Sequence, residues 1–172
     1  KIVSYNPDYI VVCSPSSYHY NHLKILERSL IGKLVLVEKP LFSSNYKLRK
    51  NLRNTYFVGY NLRYHSVIQF IKKYLKGKKV FSVSSSCLTF LPNWRNTNYK
   101  NTVSAQRKLG GGVKFELSHE IDYLRWIFGE VKLLFSFNKK ISNLKMDCDD
   151  ILLFNGVSKQ KTLINLNLNF FS

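Results

Sequence analysis

Acidic residues are scarce in this chain. Ten Asp and Glu stand against 27 Lys and Arg, a net charge of +17 and a pI of about 9.9. Cysteine is scarce too. Cys13, Cys87 and Cys148 lie far apart with no Cys-x-x-Cys spacing, which excludes a disulfide framework and a thiolate zinc site. Cys13 and Cys87 sit in strand-like runs and read as buried small hydrophobes. The single methionine is Met146, and the first residue is Lys1, so the sequence reads as a piece of a longer protein. No apolar run approaches the roughly 18 residues of a membrane helix, and no apolar leader precedes Asn6-Pro7-Asp8. A cytoplasmic, membrane-free protein is expected. His19 and His22 are three apart, but no third ligand accompanies them, so no metal site is expected.

So positive a chain suggests polyanions as partners. The cations are dispersed, however, and Lys and Asn recur even in loops such as 93–101. Compositional drift is the better reading of the charge, and a nucleic-acid partner is not expected.

What is present is core material: 45% apolar and 15% aromatic residues in 172, ample for a packed domain. Asp8–Ser14 reads as a buried strand, Tyr18–Leu30 as a helix stopped by Gly32, and Leu34–Val37 as a second strand. Phe42–Asn54 reads as a polar, basic helix opened by Ser43 and Ser44, and Thr55–Tyr60 as a third strand. Strands this apolar, alternating with helices, imply a parallel sheet covered on both faces, with ligands at the strands' carboxyl ends.

Beyond Tyr60 the texture changes. Ser66–Leu75 is an amphipathic helix, and Val80–Phe90 is a half-buried strand with Phe81, Val83, Ser85 and Cys87 on one face. A polar loop spans Leu91–Lys108, and a helix runs from Val113 to Phe128. Antiparallel strands are expected at Val131–Phe137, Asp150–Asn155 and Thr162–Phe171. The domain boundary falls near Tyr60–Arg63, separating residues 1–62 from 63–172.

Three segments carry chemistry. Ser14-Pro15-Ser16-Ser17-Tyr18-His19 is a turn between a buried strand and a helix, where backbone amides can hold a phosphate or ribose. Glu38-Lys39-Pro40 puts a charged pair at a strand's carboxyl end, where Lys39 can stabilise negative charge on a reacting hydroxyl. Gly110-Gly111-Gly112 precedes a helix carrying Glu116, His119 and Asp122 at i, i+3 spacings. A histidine beside a carboxylate suits general-base work, and glycines there permit close approach of a backbone or cofactor. Each segment alone also reads as ordinary structure: a loop, a surface ion pair, a polar helix face. The triple glycine is not a G-x-G-x-x-G fingerprint.

Taken in order, Asp-Tyr-Ile-Val-Val-Cys-Ser-Pro-x-x-x-His, Val-Glu-Lys-Pro-Leu, Val-Gly-Tyr-Asn-Leu-Arg-Tyr, Leu-Pro-Asn-Trp-Arg and Gly-Gly-Gly-(x)3-Glu-Leu-Ser-His-Glu-Ile-Asp resemble the Gfo/Idh/MocA oxidoreductases. The resemblance runs from Asp8 to about Asn155. It implies an α/β protein: the later part of a Rossmann-like parallel sheet, then an α/β domain with an open, mostly antiparallel sheet. It implies an NAD- or NADP-dependent enzyme moving hydride to or from a sugar or sugar-nucleotide carbon, in surface carbohydrate synthesis, and associating as a homo-oligomer. Lys39 and His119 match the catalytic pair. Ser14, Pro15, His19, Glu38, Lys39, Tyr60 and Asn61 match positions at the cofactor. Arg63, Trp94, Arg95, Tyr99 and Glu116 match substrate-lining positions, Glu116 lying one residue closer to the histidine than the commoner aspartate. The family's first strand, its glycine-rich phosphate loop and its ribose-binding acid have no counterpart, which leaves a basic, non-catalytic remnant or polyanion binder on the same fold as the alternative.

Overall fold

Short apolar runs rich in β-branched residues make the strands of the first half, and alternating runs make those of the second. The computed structural model describes residues 2–172. It divides into one unit reaching Gly59 and including Lys108–Gly110, and a second comprising Tyr60–Arg107 and Gly111–Ser172.

In the first unit a one-turn helix, α1 (Ile2–Tyr5), precedes β1 (Tyr9–Val12), α2 (Ser16–Ser29), β2 (Leu34–Val37) and β3 (Thr55–Val58). The strands form a parallel sheet in the order β1-β2-β3, with Ile10 opposite Val35 and Val35 opposite Tyr56. Ile10, Val12, Val35 and Val37 turn to one face and pack with Leu23, Leu26 and Leu30 around α2. Burying each such side chain is worth about 1.5–3 kcal/mol.

Two expectations are corrected here. The helix expected over 42–54 does not form, and β2 connects to β3 through irregular chain. Ser43, Ser44, Asn45, Asn51 and Asn54 crowd that segment, and such side chains compete for backbone hydrogen bonds. Asn54 shows how: its side chain accepts from Lys33 N at 2.9 Å and donates to Leu30 O at 3.1 Å, serving the exposed end of α2. Glu27 completes the anchor by accepting from Arg53 N, Asn54 N and Tyr56 Oη. Burial raises the Glu27 pKa, but these hydrogen bonds outweigh it and hold the carboxyl below its ordinary value. The second correction concerns the sheet, which among the described residues is covered on one face only. Leu41, Phe42 and Leu48 fold onto the same side as α2, leaving Tyr9, Val11, Leu34 and Phe57 exposed. Cys13 is likewise exposed rather than buried.

The second unit begins with a 3-10 turn at Asn61–Tyr64, followed by α3 (Ser66–Leu75) and β4 (Ser82–Leu88). Short 3-10 turns then lead to α4 (Val113–Glu116), α5 (Ser118–Phe128), β5 (Val131–Lys139), β6 (Ile151–Ser158) and β7 (Leu163–Asn169). The sheet order is β4-β7-β6-β5. β6 pairs antiparallel with both β5 and β7, and β4 runs parallel to β7. Period-two alternation sends Ile164, Leu166 and Leu168 into a core with Leu124, Phe128 and Phe170. On the opposite face Ser84, Phe135, Asn155 and Asn165 line an open surface. Of the expected inward face of β4, Phe81 lies outside the strand and is exposed.

A third correction is that the helix expected over 113–128 breaks at Leu117, whose φ of −96° and ψ of 29° separate α4 from α5. Neither Pro nor Gly stands there. The break lets Val113, Leu117, Leu124 and Phe128 all enter one core. No helix among the described residues is long and apolar enough to cross a membrane.

Candidate active site

In the first unit the candidate residues gather at the carboxyl ends of β1 and β2. Ser14 and Pro15 form the turn after β1, and Ser14 Oγ lies 3.0 Å from His22 Nδ1. His19 is buried inside α2, with Nε2 2.8 Å from Ser14 O and Nδ1 3.1 Å from both Pro40 O and Leu41 O. All these partners are carbonyl oxygens, so the ring nitrogen that carries the proton donates to one of them, and the imidazole lies packed between the β1 turn and the β2 turn. It is a positioning residue. His19→Ala strands buried carbonyls, each worth about 1–3 kcal/mol unsatisfied. A loss of about 2–4 kcal/mol is expected in the urea unfolding of this unit, and an unchanged midpoint would remove the latch role.

Glu38 and Lys39 follow β2 directly. Glu38 N donates to Val12 O at 2.9 Å, and the exposed Glu38 carboxylate accepts from Lys39 N at 3.3 Å. The next peptide, Lys39-Pro40, is cis. Gly59, after β3, brings the chain past Glu38: a β-carbon there would sit 3.4 Å from its carboxylate. Lys39 is half-buried. Gly110 belongs to this unit, its carbonyl accepting from Ser16 Oγ at 3.4 Å.

In the second unit His119 lies in the first turn of α5, with the Tyr60 ring edge-on at 5.8 Å and 84°. Burial raises the Tyr60 phenol above its ordinary pKa. Asn61 and Arg63 share the following 3-10 turn. Asp122, expected near His119, is engaged elsewhere. Its oxygens accept from Arg63 Nε at 2.7 Å and Nη2 at 2.5 Å, a bidentate pair that raises the Arg63 pKa. Arg63 therefore clamps its own turn to α5. Glu116 closes α4 and accepts from Ser104 Oγ at 2.9 Å. The helix break means that Glu116 and His119 are not on one helix side.

Trp94, Arg95 and Tyr99 behave differently. Trp94 packs edge-on against buried Phe170 at 5.1 Å, and Tyr99 Oη accepts from Lys145 N at 2.9 Å. The cavity that these three residues share is about 10 Å³, room for roughly one water. Arg95 is exposed.

Ser104 and Asp149 are positioning residues that sequence reasoning missed. Asp149 O accepts from Val113 N at 2.9 Å, and Asp149 Oδ2 accepts from Lys114 N at 3.0 Å, which caps α4. Gly112, with φ +111°, leaves the space this carboxylate fills: a β-carbon would lie 2.5 Å from Asp149 Oδ1. The triple glycine thus admits the protein's own backbone and side chains. The Asp-Cys-Asp-Asp run at 147–150 offered no spacing signal for this.

No family model matches the sequence, and no curated protein matches it. Solved structures do match its fold. A WlbA dehydrogenase from Bordetella pertussis, in complex with NADH and UDP-GlcNAcA, aligns over 99% of this chain and 54% of its own, at TM-score 0.83 and 16% identity. A levoglucosan dehydrogenase, in complex with NADH and levoglucosan, aligns over 99% and 50%, at TM-score 0.82 and 17% identity. An aldose-aldose oxidoreductase from Caulobacter crescentus aligns over 99% and 53%, at TM-score 0.78 and 18% identity. The chain spans about half the length of these solved proteins. Its parallel three-stranded sheet followed by an open mixed sheet is the fold of the Gfo/Idh/MocA-type oxidoreductases.

Proposed function

We propose that this chain carries the hydroxyl-handling part of a nicotinamide-dependent oxidoreductase acting on a sugar or sugar nucleotide. The observation that carries the reading is the placement of Lys39, directly after the buried parallel strand β2, where open α/β sheets bind ligands. Its setting is a fold shared with proteins solved with NADH.

The residues present fit one end of a dinucleotide. Ser14, Pro15, Glu38 and Lys39 sit at strand ends and would hold the nicotinamide and its ribose; Tyr60 and Asn61 are the cofactor positions proposed in the second unit. The 172 residues contain no G-x-G-x-x-G run to cradle a pyrophosphate. A nicotinamide bound there would supply the hydride acceptor or donor. The Lys39 ammonium stabilises the negative charge that develops on the substrate oxygen. The His119 imidazole takes or returns the hydroxyl proton. Tyr60 keeps that imidazole in place, and the Arg63–Asp122 clamp holds the turn carrying Asn61. Glu116 accepts from a sugar hydroxyl. Trp94, Arg95 and Tyr99 support the substrate side. The open face of the second unit's sheet would join copies into a homo-oligomer, and the setting would be cytoplasmic surface carbohydrate synthesis.

The test is a fluorescence titration of the folded 172-residue chain with NADH and with NADPH. Saturable binding is expected for one of them. It should weaken at least tenfold in Lys39→Ala and hold within about twofold in His119→Ala. A UDP-linked sugar acid is the first substrate to offer, with reduced nicotinamide read at 340 nm. A folded chain that binds neither nucleotide would overturn the proposal.

A further inference from the structure

The second unit holds a cavity of about 840 Å³ at the C-terminal end of α3. Lys72, Lys73, Lys76, Lys78 and Lys79 all line it, and no Asp or Glu does. Apolar side chains, among them Leu75, Val80 and Ile127, contribute the rest of its wall. Thr162, also in the lining, donates its hydroxyl to Val80 O at 2.8 Å. Two acids on the neighbouring helix and just beyond it are already committed: Asp122 to Arg63, and Glu130 to Arg125.

A helix C-terminus attracts cations, and this explains Lys72 and Lys73 in the last turn of α3. It does not explain Lys78 and Lys79, which follow the Gly77 turn at φ +76° and face the same concavity. Nor does it explain the arrangement of Lys72. Its ammonium lies 3.5 Å from the Trp126 ring centroid, with the Arg63 guanidinium 5.9 Å from the same ring. Burial first, and Arg63 second, lower the Lys72 pKa. Lys78 stands over Tyr74 at 3.3 Å. Cation–π contacts thus hold two of the ammonium groups in place, and such concentrated like charge is relieved when a polyanion enters.

We propose that this cavity binds a compact ligand carrying two or more phosphates: a nucleoside diphosphate or triphosphate, or an inorganic oligophosphate. The volume lies within the range of small-molecule sites. A concave site whose lysines all come from the short stretch 72–79 suits a compact anion better than a long strand or a flat bilayer. The cationic lining is lysine alone. Arginine's planar fork favours carboxylates, whereas several rotatable ammonium point charges suit tetrahedral phosphates. Every lining residue belongs to the second unit, and the proposal is independent of the oxidoreductase reading.

The experiment is isothermal titration calorimetry on the 172-residue chain at 150 mM salt, with tripolyphosphate, ADP, pyrophosphate and orthophosphate as probes. Tripolyphosphate is expected to bind at one saturable site, at least tenfold tighter than orthophosphate. ADP binding tighter than pyrophosphate would make the ligand a nucleotide, and equal affinities would make it an oligophosphate. Both results support the site. Lys76→Gln/Lys78→Gln/Lys79→Gln should weaken tripolyphosphate at least tenfold. These side chains are exposed, so circular dichroism should show the variant folded. Lys47→Gln/Arg49→Gln/Lys50→Gln removes the same charge from exposed positions of the first unit and should leave affinity within twofold. Equal losses in the two variants would show a general charge effect and overturn the proposal. Absence of saturable tripolyphosphate binding would overturn it as well. So would a thymidine 20-mer that binds while tripolyphosphate does not.

Discussion

Gly111→Ala is expected to destabilise the second unit by at least about 3 kcal/mol. A β-carbon at this position would lie 2.1 Å from Val103 O and 2.8 Å from Ser104 O. Both obstacles are backbone, and the backbone there cannot yield. Ser104 O accepts from Gly112 N at 3.1 Å and from Cys148 Sγ at 3.4 Å. Ala105 O accepts from Asp147 N at 3.3 Å. Ser104 and Ala105 are both buried. Gly129→Ala is the control, with nothing within 4 Å of its added methyl and φ +80°. It should cost about 1–3 kcal/mol through backbone conformation alone, because φ +80° with ψ −161° is a region that L residues avoid. Urea midpoints of the two variants should differ clearly, and coincident midpoints would remove the steric argument.

The second large effect is expected at Asp150. Its side chain is fully buried next to the β5–β6 connection. Oδ1 accepts from Ile141 N at 2.8 Å, Oδ2 accepts from Ser142 N at 3.0 Å, and Lys140 Nζ lies 3.2 Å from Oδ2. Burial raises its pKa, but hydrogen bonds from Ser142, Ile141 and Lys140 outweigh that and hold it below the ordinary aspartate value. Asp150→Asn replaces one acceptor oxygen with an NH2 that must face N–H donors. The expected cost is about 3–5 kcal/mol. A depressed carboxyl pKa stabilises the fold fully above the unfolded-state value, about 3.9. That contribution is lost as pH falls through the folded-state value. Wild-type stability should therefore decline below about pH 4, and the variant, lacking the carboxyl, should show a shallower decline. Parallel profiles of wild type and variant across that window would show that Asp150 is not the titrating group.

Much of the fold is legible because burial imposes a period. Leu34–Val37 reads directly as a buried strand, and the Leu/Asn alternation of 163–169 states which face of β7 meets the core. Ser66–Leu75 is legible as a helix from its spacing and the Gly77 stop. The segment 42–54 was not legible, because its structure follows from Asn54 reaching back to the end of α2 rather than from any period. The break at Leu117 was not legible either, since it is set by what α4 and α5 must each bury.

The sequence by itself determined the parallel sheet, the alternating strands and the order of chemistry-bearing segments, because period, turn residues and motif order are local properties of the chain. Tertiary structure alone decided the partners of those residues. It turned His19 into a buried latch, gave Asp122 to Arg63, packed Trp94 on Phe170 and set Asp149 against Gly112. These outcomes depend on where distant backbone segments converge in space. The polar groups there are satisfied by whichever partner comes within hydrogen-bonding distance, and no spacing along the chain encodes that.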